Sequence, residues 1–206
     1  MIQWFLAGGN AMWVLLVLSI LSWAFIIERF FVLRAESKEI LILKKKLDAG
    51  PLGLGDISKA VEGHSCALSR VLNSLCENVK LKREDSIIVT KSTMNQEIGY
   101  LRRGLTALEI SAGIAPLIGL LGTVLGMVTI FAAIGKSGLG DPMALSSGIS
   151  TALNTTVFGL VIAIPCSAAY SFYESKVENI LRIIEKYVTH TISSIYSNSS
   201  HFNKNS

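Results

Sequence analysis

The chain has 206 residues, half of them apolar, a mean hydropathy of +0.50 and only 17% charged residues, where soluble domains average roughly 25%. That balance excludes an ordinary water-soluble enzyme or binding domain. The formal charge of +4 is no argument for a nucleic-acid partner, because the cations follow a different pattern: no Lys or Arg in residues 1–28, fourteen in 29–104, one in 105–141 and four in 142–206.

Three stretches, 1–27, 110–135 and 142–173, contain no Asp, Glu, Lys, Arg or His. Each exceeds the roughly 20 residues a helix needs to cross a bilayer. The cation distribution then orients them by the positive-inside rule. It predicts an outer, periplasmic N-terminus at 1–9, a first span at 10–34, a cytoplasmic helical region at 35–104, a second span at 105–134, an outer loop at 135–141, a third span at 142–173, and a cytoplasmic C-terminal helix and tail at 174–206. The first stretch lacks a basic start and runs into Glu28 and Arg29 rather than a small-residue cleavage site, so it reads as a retained span, not a signal peptide.

In chain order, the first span carries Trp4, Trp13 and Trp23 as interface anchors. Its helix continues through Ile40, Leu41, Leu43 and Leu47, which recur at helical spacing among Lys44, Lys45 and Lys46. Gly50, Pro51, Gly53 and Gly55 predict a turn. A cytoplasmic helix over 57–79 follows, with Val61, Leu68, Val71, Leu72 and Leu75 as its packing stripe. His64, beside Gly63 and Ser65, reads as a surface residue and not a metal ligand. Cys66, Cys76 and Cys166 have neither disulfide nor metal spacing. No cofactor is expected.

From Arg83 the pattern predicts one uninterrupted helix over 84–134 that leaves the cytoplasm and enters the membrane. Within it Gly119, Gly122 and Gly126 fall at i, i+3 and i+7, a bare face that lets another helix approach closely. Pro116 removes a backbone hydrogen bond and bends the helix. Thr123 lies in the glycine face, where its hydroxyl either bonds a local carbonyl or faces a polar passage. Asp141 before Pro142 predicts a helix start. The third span, about 48 Å long if helical throughout, continues through Val177, Ile180, Leu181, Ile184 and Val188, with a disordered end from Ser193. Ser147, Ser150, Thr151, Asn154 and Thr155 share one side of it, with Thr156 adjacent. Unpaired hydroxyls in hydrocarbon are costly, so this stripe faces other helices, another subunit or water; helix-to-helix glue and pore lining fit it equally well. Neither span holds a group that titrates near neutral pH; the nearest carboxylates are Glu28 and Glu109. A proton relay uses intramembrane Asp, Glu or His, so proton handling would require a partner's group. An intramembrane protease would need a Ser–His pair or an acidic dyad, and the spans have neither.

Two segments carry a resemblance. Ala115-Pro-Leu-Ile-Gly-Leu-Leu-Gly-Thr-Val-Leu-Gly126 and Ala152-Leu-Asn-Thr-Thr-Val-Phe-Gly-Leu-Val-Ile-Ala-Ile-Pro165 resemble the signature helices of the MotA/TolQ/ExbB proton-channel family, strongly over 105–173. The resemblance implies an all-α homo-oligomer, a pentamer, whose second and third helices surround a central pore. It implies single-span partners of the ExbD/TolR kind, each bringing a membrane aspartate, and a TonB- or TolA-like protein driven across the periplasm of a bacterial inner membrane. Carried over by position, Thr123 and Thr156 match pore-facing threonines, with Thr151, Asn154 and Thr155 beside them, and Pro116 and Pro165 match helix-shaping prolines. Thr151 departs from the glutamate found in many members of the ExbB and TolQ branches, which removes a carboxylate from this point of the pathway. Three spans, not four, disfavour the flagellar-stator branch, and the Thr155–Thr156 pair leans toward the ExbB side. A passive channel or assembly scaffold without energy coupling is the competing reading.

Overall fold

The computed structural model describes residues 9–49, 54–137 and 142–202. Its described elements are all helical: α1 Gly9–Asp48, α2 Leu54–Val61, α3 Ala67–Glu77, α4 Arg83–Arg102, α5 Leu105–Ser137 and α6 Pro142–Phe202. Three helices, over Ala11–Asp48, Leu105–Gly135 and Gly148–Ile195, are long and apolar enough to cross a membrane. This is the three-span, all-α membrane protein the sequence predicts. Gly50, Pro51, Gly53 and Asp141 lie outside the described residues. So does Trp4.

Several boundaries differ from the periodicity. The expected helix over 57–79 is two helices, because Gly63 takes φ +83°, a left-handed conformation that suits glycine and ends a helix. The same device interrupts the expected helix over 84–134: Gly104, at φ +85°, separates α4 from α5. Apolar spacing carries through both breaks, which is why it does not reveal them. In the other direction, α6 reaches Phe202 where disorder is expected from Ser193. Ser194 and Ile195, beyond that point, are partly buried, so packing extends further than the Ser- and Asn-rich composition suggests.

The chain forms two compact units, Met1–Arg29 with Gly104–Phe172, and Phe30–Arg103 with Tyr173–Ser206. The first unit buries little. Leu117, Leu121, Val128, Val161 and Ile164 are all more than half exposed, as expected of surfaces whose solvent is lipid. Its small core is Leu15, Ala115 and Ala163, flanked by Leu18, Ile118 and Ile162.

The second unit has a conventional water-soluble core. Leu33, Ile40, Leu43 and Leu47 of α1, Ile57 and Val61 of α2, Leu68, Val71, Leu72 and Leu75 of α3, and Val177, Ile180, Ile184 and Val188 of α6 are buried, each contributing about 1.5–3 kcal/mol relative to exposure. Polar ties fix the register. Arg70 donates from Nε and Nη2 to the two Glu97 carboxylate oxygens at 2.7 and 2.6 Å, and its Nη2 lies 4.0 Å from Glu36. Glu36 accepts the Ala67 N–H at the start of α3, and Glu39 accepts that of Ser65. Burial pushes the Glu36 carboxyl above its usual value, and the Ala67 N–H and Arg70 only partly offset this. Tyr187 on α6 donates its hydroxyl to Asp48 at the end of α1, 2.5 Å away; burial and this bond raise its pKa.

Candidate functional site

The polar and small residues singled out in the membrane spans belong to the first unit, where α5 and α6 meet. Glycine makes the meeting possible. A Cβ at Gly119 would lie 2.8 Å from the Thr155 carbonyl oxygen and 2.9 Å from the Thr156 Cα; at Gly122, 2.8 Å from Thr155 Oγ1 and 3.2 Å from the Ala11 Cβ; at Gly126, 2.8 Å from the Ala152 Cβ. Such distances are shorter than a carbon can tolerate, so these positions accept no side chain without the helices moving apart. Gly159, which the spacing argument passes over, is the tightest of all: its Cβ would lie 2.5 Å from the Ala115 carbonyl oxygen and 3.2 Å from the Gly119 Cα. Gly148, Ala152, Thr155, Gly159 and Ala163 recur at intervals of three or four, the small-residue ridge that membrane helices use to pack. That spacing was the available signal. The close contact is backbone on backbone across Gly119 and Gly159.

The two adjacent threonines of α6 differ. Thr155 is 1% exposed and its Oγ1 donates either to the Ala152 carbonyl, at 2.7 Å, or across to the Gly119 carbonyl of α5, at 3.1 Å. Its hydroxyl therefore sits between helices within one chain. Thr156 has a buried hydroxyl with no hydrogen-bond partner among the described residues. Thr123 is 9% exposed and donates to the Leu120 carbonyl at 2.7 Å.

Thr151 and Asn154 are partly buried, and Ser150 is exposed. Of the polar stripe of α6, Thr155 is bonded to α5, and the Ser147 side chain lies outside the described ones. Pro116 and Pro165 stand inside α5 and α6 without ending either. Glu28 is about half exposed and accepts from Arg29 Nη2 at 2.7 Å; Glu109 is exposed.

Arg29 was not expected to matter, yet it is 5% exposed, and its Nε and Nη1 are buried without partners among the described residues. A Cβ on Gly104 would come within 3.2 Å of Arg29 Nε and 3.5 Å of the Phe25 ring. Gly104 therefore meets two demands, a left-handed turn and a close approach to a buried guanidinium. Neither is visible in a one-dimensional pattern.

These observations define a class: a multi-span helical membrane protein whose second and third spans form a tight glycine-mediated pair bearing hydroxyls, with no Asp, Glu, Lys, Arg or His in 110–135 or 142–173. The family model described as "MotA/TolQ/ExbB proton channel family" matches residues 65–186. The chain belongs to that family. It is 34% identical over 168 residues to an ExbB-like biopolymer transport protein of Synechocystis sp., covering 78% of this chain and 65% of that protein. A second Synechocystis ExbB-like protein is 30% identical over 166 residues, 77% of this chain and 78% of its own length. The biopolymer transport protein ExbB of Neisseria meningitidis serogroup A is 28% identical over 172 residues, with 77% and 78% covered. The chain thus spans about two thirds of the first of these relatives and more of the other two.

Proposed function

We propose that this chain is the shell subunit of a proton-driven motor of the ExbB/TolQ kind in a bacterial inner membrane. In this reading several copies, five by the family resemblance, surround single-span ExbD/TolR-like partners, and the assembly energises a TonB- or TolA-like protein for outer-membrane transport or envelope maintenance. The N-terminus and the 135–141 loop face the periplasm, and the second unit lies in the cytoplasm, as the Lys and Arg distribution supports.

The observation that carries the reading is the Thr156 hydroxyl, buried in the spans and unpartnered within the described chain, where residues 110–135 and 142–173 contain no Asp, Glu, Lys, Arg or His. A buried donor left unmade costs about 1–3 kcal/mol. An acceptor from outside the chain recovers that cost, and a partner's membrane carboxylate supplies both an acceptor and a proton carrier. Thr123 stands on α5 as a second hydroxyl that exchanges its local bond for one with the partner or with water. Charge crossing 100 mV releases about 2.3 kcal/mol, so one stroke needs several protons.

The test is co-purification with a single-span partner containing an intramembrane Asp, followed by transport assays of Thr123→Val and Thr156→Val. Both variants are expected to assemble with the partner and lose energised transport. Full transport with both hydroxyls removed would overturn their assignment, and full activity in cells lacking any such partner would overturn the motor. The competing passive scaffold predicts that neither hydroxyl matters once assembly is intact.

A further inference from the structure

Outside its apolar stretches, the second unit leaves large apolar side chains uncovered. On α1, Leu41 and Ile42 are 54% and 50% exposed; on α4, Ile88 and Val89 are 64% and 36% exposed. Lipid does not account for them, because both pairs lie in the region that holds fourteen of the nineteen Lys and Arg residues. Adjacent exposed apolar residues in a polar setting mark an interaction surface.

The surroundings of the two pairs are opposite in charge. Exposed Lys38 and Lys45 flank Leu41 and Ile42 by one turn on α1, whereas on α4 exposed Glu84 and Asp85 precede Ile88 and Val89 by one turn and exposed Lys91 follows Ile88, which leaves that side net negative. Their levels also agree. Arg70 lies 4.0 Å from Glu36 of α1 and 2.6 Å from Glu97 of α4, which sets those two residues side by side. Tyr187 of α6 bonds Asp48 at the end of α1, and Glu185, Val188 and Thr189 of α6 line a cavity with Arg83 and Ile87 at the start of α4, so the end of α1 and the start of α4 share a level and the two helices run antiparallel. At 1.5 Å per residue, Ile42 lies about 9 Å beyond Glu36 and Ile88 about 14 Å beyond Glu97, while Lys45 lies about 14 Å and Asp85 about 18 Å along the same helices. The offset is the same for the apolar and the charged pair, less than one helical turn.

We propose that these stripes join one copy of this chain to the next: α1 of one copy packs Ile42 against Ile88 on α4 of its neighbour, with Lys45 paired to Glu84 or Asp85. The two patches differ, so the contact is heterologous, the kind that builds a ring where its rotation closes and does not stop at a dimer. The contact rests on the oligomeric reading above and adds which surfaces meet.

The test uses the full chain in membranes. Ile42→Cys combined with Ile88→Cys, oxidised in place, is expected to give a ladder of disulfide-linked oligomers, because each copy carries both halves and a disulfide requires Cα atoms within about 7 Å. Either substitution alone gives no ladder, and the unsubstituted chain sets the background from Cys66, Cys76 and Cys166. Lys45→Glu, and separately Glu84→Lys with Asp85→Lys, are expected to raise the concentration at which the solubilised oligomer dissociates by roughly tenfold; all three together restore it. These side chains are exposed, and unchanged helix content by circular dichroism confirms that each variant folds. An intact oligomer with no ladder and no charge-reversal rescue overturns this contact and leaves the oligomeric reading standing. Cross-links from a single cysteine variant show like meeting like and also overturn it. A monomeric wild-type chain removes the oligomeric reading, and the contact with it.

Discussion

Gly159→Ala adds one methyl group at the tightest point between α5 and α6. The new Cβ would lie 2.5 Å from the Ala115 carbonyl oxygen, with the Gly119 Cα at 3.2 Å and the Ala115 carbonyl carbon at 3.3 Å. All three neighbours are backbone atoms, so no rotamer change relieves the clash. Restoring ordinary contact of about 3.4 Å would move the helices apart by nearly 1 Å locally, and a gap of that size forfeits roughly a quarter to a half of each dispersion contact it opens. The bond from Thr155 Oγ1 to the Gly119 carbonyl, already 3.1 Å long, would then be lost, a term of about 0.6 kcal/mol in membrane proteins. With an overpacking cost of about 1–3 kcal/mol, the expected destabilisation is roughly 2–4 kcal/mol. The assay is reversible unfolding in mixed micelles, followed by loss of helical circular dichroism. Gly113→Ala is the control, since a Cβ there meets nothing within 4 Å, and it is expected to change stability by no more than about 1 kcal/mol. If Gly159→Ala were as stable as Gly113→Ala, the backbone contact between these helices would not exist as described.

Thr155→Val and Thr156→Val should separate by the same assay. The first removes a hydroxyl that donates to the Ala152 or the Gly119 carbonyl and is expected to cost about 1 kcal/mol; the second removes one that has no acceptor within the described chain and is expected to be neutral or stabilising, by up to about 1–3 kcal/mol. Gly104→Ala places a Cβ at φ +85° and 3.2 Å from Arg29 Nε; a loss of about 1–2 kcal/mol is expected, and an unchanged unfolding midpoint would refute the turn. For Glu36 the sign follows from burial. Its folded pKa is raised above 4.5, so the fold favours the neutral form, and its contribution is fully present below the unfolded value and lost as pH rises through the folded one. Glu36→Gln is therefore expected to unfold at a temperature equal to or above wild type at pH 7.5, with the gap closing toward pH 4. A lower midpoint for the variant at pH 7.5 would show that the charged form is the favoured one.

Much of the fold was legible in one dimension because lipid imposes a simple rule: a spanning helix contains no charge for about 20 residues, and the chain announces this three times. The apolar stripe of the second unit was equally plain, and Val61, Leu68, Val71, Leu72 and Leu75 are all buried. The helix breaks were not legible. Gly63 and Gly104 are two glycines among seventeen, and only tertiary packing decides which ones adopt positive φ; Gly113, by contrast, lies inside α5 in open space. Arg29 escaped for a related reason. At the end of an apolar stretch an arginine reads as a topological marker, and its burial depends on a residue seventy-five positions away.

The polar stripe of α6 shows how a correct pattern still leaves the chemistry undecided. Residues 151, 154 and 155 share a side because of the 3.6-residue period, which lets a single stripe serve either as glue or as pore lining. Adjacent positions on a helix differ by about 100°, so Thr155 and Thr156 cannot both point at the same neighbour. Thr155 faces α5 and donates to the Ala152 or the Gly119 carbonyl, whereas the buried Thr156 hydroxyl finds no acceptor among the described residues. The Thr–Thr dipeptide therefore makes one hydroxyl structural and leaves its neighbour in need of a partner. Thr155→Val removes the structural hydroxyl and leaves the unpartnered one in place, so it is expected to lower stability while the assembled complex keeps energised transport; loss of transport in an assembled Thr155→Val complex would refute this division of roles.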